Sequence, residues 1–233
     1  MDLPRGPIDK AALAPRTGAG TRVVIIDSGV HERHPHVGGV SGGEGFDARG
    51  HPIGTFTDRL GHGTAVTAVV REKAPDAEIL VARVFEDRLE TTLAALEAAL
   101  GWALAQEAHL VNLSLGTATP AHAPALQAAV HALAAAGAWV VAAGSDNGVA
   151  WLPGTLDGVI AVSLDWSLHR DQAVVDLVAP AGARVRASGL PRPIPGVPPE
   201  RNLKGVSFAV ANVTGLLALW REGGGRGVGG PPR

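Results

Sequence analysis

Three polar residues stand where apolar segments begin or end, and together they carry the chemistry of a hydrolytic site. Asp27 ends the apolar run RVVIID, His62 lies between two glycines at the start of a helical pattern, and Ser207 follows Gly205 at the start of another. A serine hydroxyl is a poor nucleophile at neutral pH, so it needs an imidazole to accept its proton and a carboxylate to orient that imidazole. The three residue types therefore predict acyl transfer through a serine nucleophile.

Each of these residues also has an ordinary structural explanation when it is taken alone. An acidic residue at a strand end can cap the next turn, and a histidine near a helix start can make a local hydrogen bond. A serine is a common helix N-cap. The prediction rests on all three residues and on their order along the chain, Asp, His, Ser, which is the order of the subtilisin triad.

Short apolar runs alternate with helical patterns and provide the frame for these residues. Strands buried on both faces are predicted at residues 22–27, 78–85, 109–115, 138–144, 158–164 and 174–180. Helices are predicted at residues 62–72, 92–106, 123–136 and, starting at Ser207, within 204–220. This alternation indicates an α/β domain with a mainly parallel central sheet, whose ligands bind beyond the carboxyl ends of the strands.

The composition excludes several other classes of protein. The 233 residues are 46% apolar and 18% charged, which is enough apolar material for a substantial core. The net charge of −2 gives no electrostatic footprint for nucleic acid or an anionic membrane, and no apolar run is long enough to span a bilayer. The chain has no cysteine, so disulfides, a thiol nucleophile and thiolate metal sites are excluded.

Five motifs in the expected order resemble those of the subtilisin-like serine proteases, the subtilase family. They are IIDSGVHERHP (25–35), GHGTAV (61–66), VNLSLG (111–116), DLVAPAG (176–182) and GVSFAVANVTG (205–215). The resemblance covers most of residues 20–220. It implies a three-layer subtilisin-like fold and hydrolysis of peptide bonds, in peptide or protein substrates, by Asp27, His62 and Ser207.

The serine motif departs from the family pattern in four positions. Val206, Phe208, Ala211 and Asn212 stand where the family usually has threonine, methionine, proline and histidine. We expect these changes to alter the packing around Ser207 and to leave its chemistry intact.

No metal ion or other cofactor is expected. The Asn/Gly-rich calcium loop that follows the histidine helix in subtilisins is missing, because VVREKAPDAEILVARVF runs straight from helix to strand. His31, His34 and His36 form a cluster, but no aligned acidic residues accompany them, and a His-Pro pair here is itself typical of subtilases.

The resemblance also implies how the substrate is bound. Ser114, Leu115 and Gly116 are expected to line the specificity pocket, and Trp151 aligns near its floor. A tryptophan there would fill the pocket and favour a small residue before the cleaved bond; alternatively, Trp151 packs elsewhere. The segment 85–92 is short where the family places an edge strand, so pairing with the substrate main chain is expected to be reduced.

Three neighbouring residues are candidates for the donor that completes the oxyanion hole. Subtilases use an asparagine side chain at the end of the strand that corresponds to VVAAG here, and its loss costs about 100- to 1,000-fold in rate in subtilisin. Alignment without gaps places Asp146 at this position, where it can donate only in its protonated form. Asn147 would serve if the turn shifts by one residue, and Ser145 if the turn is anchored on Gly144.

We predict one peptidase domain over residues 1–222, with an ordered surface loop at 188–204, followed by a flexible Gly/Pro-rich tail at 223–233. Only about 20 residues precede the first predicted strand, so no propeptide domain is expected. Without a recognisable signal peptide the expected location is the cytoplasm, where trimming of a precursor peptide would suit a small peptidase. The alternative is a catalytically impaired subtilase that acts as a binding or scaffold protein. The sequence does not predict an oligomeric state.

Overall fold

The computed structural model describes residues 3–146, 148–178 and 182–222. The strands of this part of the chain are β1 (Gly6–Asp9), β2 (Arg22–Asp27), β3 (Gly42–Gly45), β4 (Glu78–Arg83), β5 (Leu110–Leu113), β6 (Trp139–Ala143), β7 (Ser145–Asp146), β8 (Val149–Ala150), β9 (Val159–Leu164), β10 (Gln172–Leu177) and β11 (Ala183–Ala187). The α-helices are α1 (His62–Lys73), α2 (Leu93–Ala105), α3 (Ala123–Ala135) and α4 (Val206–Glu222).

Nine of these strands form one sheet in the order β1-β10-β11-β9-β6-β5-β2-β4-β3. The seven strands from β11 to β3 are parallel to one another, and β10 pairs antiparallel with both β1 and β11. The short strands β7 and β8 form a separate hairpin. The predicted α/β domain with a mainly parallel sheet is therefore confirmed.

Helices cover both faces of the sheet and make three layers. The alternating side chains of β2 show this directly: Val23 and Ile25 belong to one apolar cluster, which includes the inner faces of α1 and α4. Val24 and Ile26 belong to a second cluster, which includes α2 and α3. Because strands of this kind are buried on both faces, their residues form the continuous apolar runs from which they were predicted.

The segment 188–204 is irregular apart from a single helical turn at Pro199–Arg201, in agreement with the predicted surface loop. Asn212, one of the departures in the serine motif, is fully buried, and its Nδ2 donates to the carbonyl oxygens of Ser188 and Leu190 at 2.9 and 3.0 Å. This side chain therefore ties the loop to α4. The predicted tail, residues 223–233, lies outside the described residues.

None of the helices in the described part of the chain is long and apolar enough to cross a membrane.

Lys73, the last residue of α1, is a charged residue that is fully buried. Its Nζ donates to Asp171 at 2.9 Å, and its stem packs on Gly215 of α4, where a Cβ would lie only 2.7 Å from the Cβ of Lys73. Burial, reinforced by the nearby charge of Arg170 and opposed by Asp171, lowers the pKa of Lys73 from its usual 10.5 to about 8.

We expect Lys73 to make the folded protein more stable as the pH rises from 8 to 10.5. Below pH 8 the lysine is protonated in both states, and the cost of burying its charge is present in full. Between the two pKa values the unfolded chain binds more protons, so the free energy of unfolding increases with pH, by about 3 kcal/mol from this group. Urea unfolding at several pH values should show this rise in wild type and a flatter curve for Lys73→Met.

Lys204→Met is the matched control, because Lys204 is exposed. Its unfolding free energy should follow the wild-type dependence on pH. Parallel curves for wild type and Lys73→Met would contradict a buried lysine with a lowered pKa.

Candidate active site

Asp27 is placed at the carboxyl end of β2, in the middle of the parallel part of the sheet. It is fully buried, and its Oδ1 accepts hydrogen bonds from Nδ1 of His62 and from the amide of Ser28, both at 2.7 Å. Its Oδ2 has no hydrogen-bond partner among the described residues. The carboxylate is thus aimed at one nitrogen of one imidazole.

His62 is the first residue of α1, which crosses the end of β2 at very short range. At Gly63 a Cβ would lie 2.2 Å from the carbonyl oxygen of Gly29, so only glycine permits this approach. The imidazole is mostly buried, with 16% of its side chain exposed, and its ring lies 6.0 Å from that of Phe208. The helix start therefore fixes the ring between Asp27 and α4.

The pKa of His62 is raised above its usual value. Burial of the ring lowers the pKa, but the hydrogen bond that Nδ1 donates to Asp27 and the charges of Asp27 and Asp58 outweigh that effect. Because an ionised carboxylate only accepts hydrogen bonds, Nδ1 is the donor in this contact and neutral His62 has its free lone pair on Nε2. That is the state of a general base.

Ser207 lies in the first turn of α4, near the positive end of the helix dipole. The amides of Phe208 and Ala209 donate to Gly205 O at 3.0 and 3.4 Å, whereas the amide of Ser207 makes no backbone hydrogen bond among the described residues, as is usual for the first amides of a helix. The Ser207 amide is therefore in a position to donate to an oxyanion.

The hydroxyl of Ser207 donates to the carbonyl oxygen of Ser114 at 3.2 Å in this structure. Among the described contacts it makes no hydrogen bond to His62, although the two residues line the same cleft. A transfer of the hydroxyl proton to His62 would require the hydroxyl to exchange Ser114 O for Nε2 of His62. Such contacts are often long in enzymes without substrate and tighten when substrate binds.

A chain of buried hydrogen bonds holds the backbone of Ser207 to the end of β5. Oγ1 of Thr214 donates to Asn112 Oδ1 at 2.9 Å, Asn112 Nδ2 donates to Ser114 Oγ at 3.0 Å, and Ser114 Oγ donates to Ser207 O at 3.0 Å. Asn112 and Thr214 are fully buried, so these bonds are shielded from water. Neither residue was predicted from the sequence, because a polar residue inside an apolar run carries no sign of its partner.

A cleft of about 380 Å³ opens beside His62 and Ser207. Ser114, Leu115 and Gly116 line this cleft, and their role in substrate binding stays a prediction. Phe85 and the segment 89–93 also line the cleft. The described backbone has no strand at residues 84–92, so the edge strand that the sequence lacks is also missing here.

Trp151 lies next to the wall of this cleft. A Cβ on Gly116 would be 2.9 Å from Cβ of Trp151, and the backbone of Thr117 pairs with that of Leu152 through two hydrogen bonds of 2.9 Å. Trp151 is half-buried and packs against the cluster that includes α4. Its place beside Gly116 is compatible with the predicted pocket floor, and its effect on specificity stays a prediction.

The three candidate oxyanion donors, Ser145, Asp146 and Asn147, follow β6 in the sequence, and the first two form strand β7 of the small hairpin. The backbone of Asp146 pairs with Val149 in β7 and β8. Ser145 is exposed and lines a separate cavity with β9 and β11, away from the cleft that holds Ser207. Asn147 lies outside the described residues. The identity of the second oxyanion donor therefore stays a prediction.

In residues 3–146, 148–178 and 182–222, no group of three or more His, Asp or Glu side chains could hold a metal ion. The rings of His34 and His36 contact each other edge to face at 5.3 Å. Burial, together with the charges of Arg192 and His34, lowers the pKa of His36.

A model of the Subtilase family matches residues 18–224. M-protease of Shouchella clausii (strain KSM-K16) is 29% identical over 223 residues, covering 88% of this chain and 55% of that protein. Subtilisin BL of Lederbergia lenta is also 29% identical, covering 88% of this chain and 78% of that protein. The chain thus spans about half the length of M-protease.

Solved structures give the same fold. The crystal structure of a cold adapted subtilisin-like serine proteinase superimposes with a TM-score of 0.67, covering 92% of this chain and 80% of that protein, at 21% sequence identity. The three-layer architecture predicted from the five motifs is therefore confirmed.

Proposed function

The chain belongs to the subtilase family, and we propose that it is a serine endopeptidase acting through Asp27, His62 and Ser207. One observation carries this proposal: a buried carboxylate accepts from Nδ1 of His62 at 2.7 Å, in the cleft that also contains the hydroxyl of Ser207. This is the arrangement in which an imidazole can take a proton from serine.

The reaction follows from the positions of these atoms. Oγ of Ser207 attacks the carbonyl carbon of the peptide bond while Nε2 of His62 takes the hydroxyl proton, and Asp27 stabilises the imidazolium. The imidazolium then gives that proton to the leaving amine, which departs and leaves an acyl-enzyme. Water, deprotonated by the same imidazole, hydrolyses the ester and regenerates Ser207.

A fluorophosphonate probe tests this function, because it labels only an activated serine. Wild type should be labelled, and Ser207→Ala should not. Absence of labelling in wild type at every pH between 5 and 9 would favour the alternative, a subtilase-like binding or scaffold protein.

The substrate that we propose is a specific precursor peptide inside the cell. The support is the narrow recognition surface: Trp151 abuts the Ser114–Gly116 wall, and residues 84–92 offer no strand to pair with an extended chain. Such a cleft suits few sequences. Comparing the intracellular peptides of host cells with and without active enzyme would identify the precursor, and unchanged peptides would refute the proposal.

We expect Trp151 to restrict the residue before the cleaved bond to small side chains. Its indole would occupy the space that a larger residue needs, so a peptide library should be cut after Ala, Gly or Ser. Trp151→Gly should raise kcat/KM for Leu or Phe at that position by about tenfold or more, since a pocket discriminates by 1–3 kcal/mol per missing methylene. Wild-type cleavage that favours Phe or Leu would show that Trp151 does not fill the pocket.

We expect that asparagine can replace Asp146 without loss of activity. An ionised carboxylate cannot donate to an oxyanion, whereas asparagine can at any pH, so Asp146→Asn should keep or raise kcat. The upper limit of the gain is about 100- to 1,000-fold, the contribution of one such donor. Steady-state kinetics of Asp146→Asn and Asn147→Ala separate the candidates: a large loss in the first variant contradicts the assignment, and a large loss in the second favours Asn147.

A further inference from the structure

A second carboxylate, which the triad does not use, is buried close to His62. Asp58 is 1% exposed and accepts five hydrogen bonds. Its Oδ1 accepts from Ser28 Oγ and from the amides of Leu60 and Gly61 at 2.8–2.9 Å. Its Oδ2 accepts from the amide and hydroxyl of Thr64 at 2.8 and 2.6 Å. The carboxylate is thus fully used in holding the chain around residue 62.

These donors lie on both sides of His62 in the sequence. Gly61 is the N-cap of α1, with a positive φ of 81°, and has no side chain with which to cap the helix. Asp58 takes over that role by accepting from Gly61 before His62 and from Thr64 after it. The backbone that carries the imidazole is therefore fixed at both ends by one side chain.

Ser28 connects Asp58 to the triad aspartate. Its amide donates to Asp27 Oδ1, its hydroxyl donates to Asp58 Oδ1, and its Oγ accepts from the amide of Gly63 at 2.8 Å. One residue thus sets the spacing between the end of β2, the start of α1 and the two carboxylates.

We propose that Asp58 is a positioning residue for His62, which fixes the start of α1 so that Nδ1 stays on Asp27, and whose negative charge supports the imidazolium. This inference rests on the proposed function, since it describes how the base of that reaction is held.

Asp58 keeps its negative charge in the folded protein, and this charge acts on the imidazole of His62. Burial raises the pKa of Asp58, but the hydrogen bonds from the hydroxyl and amide of Thr64 and from the amides of Leu60 and Gly61 outweigh that effect. The net pKa is lowered, so the carboxylate is ionised at neutral pH. No lysine or arginine of the described chain lies within ion-pair distance of it.

The charged groups that act on His62 are Asp27, from β2, and Asp58, from the segment before α1. From α4 the imidazole faces the uncharged ring of Phe208. Both carboxylates raise the pKa of His62, so removal of either charge should lower it.

The test is a titration of His62 by NMR in wild type and in Asp58→Asn. The His62 signal is identified among the nine histidines by its loss in His62→Gln. We expect the pKa of His62 to fall by about half a pH unit or more in Asp58→Asn. Asp165→Asn is the matched control: Asp165 also accepts from the hydroxyl and amide of a following serine, Ser167, yet exerts no charge effect on His62.

Asp58→Ser guards against a folding failure, since its hydroxyl can still accept from one amide of α1 without carrying a charge. It should shift the pKa of His62 in the same direction. An unchanged His62 pKa in the folded variants would overturn the proposal, as would an equal shift in Asp165→Asn.

Kinetics then separate this inference from the proposed function. In active enzyme the acidic limb of kcat/KM against pH should move down with the pKa of His62, and kcat should fall about tenfold or more while KM changes little. If wild type is neither labelled nor active, the proposed function fails, and the NMR titration still decides the role of Asp58.

Discussion

Replacing Ser207 or His62 with alanine should lower kcat by about a million-fold, and replacing both should cost no more than either change alone. The hydroxyl and the imidazole perform one step together, so removal of either partner removes the whole nucleophile. The magnitude is the one measured for subtilisin, a member of the same family. KM should stay close to wild type, because the substitutions leave Leu115, Gly116 and the rest of the cleft lining unchanged.

The measurement is the hydrolysis of a peptide substrate under saturating conditions, with purified single and double variants. Thr119→Ala is a control at the exposed segment before α3 and should keep wild-type kcat. Losses that multiply in the double variant would contradict a joint step. A loss below a hundredfold in Ser207→Ala would mean that another group is the nucleophile.

The fold could be predicted where the physical signal is local. The runs at 22–27, 78–85 and 138–144 are apolar because helices bury both faces of their strands, and β2 was predicted with its observed ends. The run at 174–180 gave a strand of different character: β10 starts at Gln172, is antiparallel to both neighbours and exposes Asp176 and Leu177. Residues 179 and 180 lie outside the described chain.

Five strands were not predicted from the sequence: β1, β3, β7, β8 and β11. Two of them, β3 and β11, show the physical reason. β3 has the sequence GGEG, which has little intrinsic preference for a strand. It forms because Gly43 and Gly45 let the backbone approach Val81 and Thr55, whose carbonyl oxygens lie 2.5 and 2.1 Å from where each Cβ would be. β11 alternates buried Ala and Val with exposed Arg, and is too short for that pattern to be decisive alone.

The residues of the candidate site also divide into those with a local signal in the sequence and those without one. Asp27 and His62 could be predicted because each marks the boundary of an apolar element, and the structure joins them at 2.7 Å. Asp58 was missed, although an aspartate four residues before the helix start, followed by a glycine without a capping side chain, is a usable signal. Asn112 and Thr214 could not be found in the same way, because their contact joins β5 to α4 across 102 positions of sequence.

Asp27→Asn should lower kcat/KM by about ten-thousand-fold at pH 7 while leaving the fold intact. Oδ1 of Asp27 accepts from both Nδ1 of His62 and the amide of Ser28. An asparagine that turns its oxygen toward these donors removes the charge that stabilises the imidazolium. One that turns its NH2 toward Nδ1 forces the proton onto Nε2, where it blocks the base.

The two losses can be distinguished by pH. Loss of the charge lowers the pKa of His62 and moves the acidic limb of kcat/KM downward, whereas the wrong tautomer lowers the rate at every pH. Asp176→Asn, an exposed carboxylate on β10, is the control and should retain wild-type kinetics. The rate of fluorophosphonate labelling should fall in parallel with kcat/KM, since both need the same activated serine. If Asp27→Asn loses less than tenfold, His62 is oriented without its carboxylate, and Asp58 with Ser28 becomes the group that holds the base.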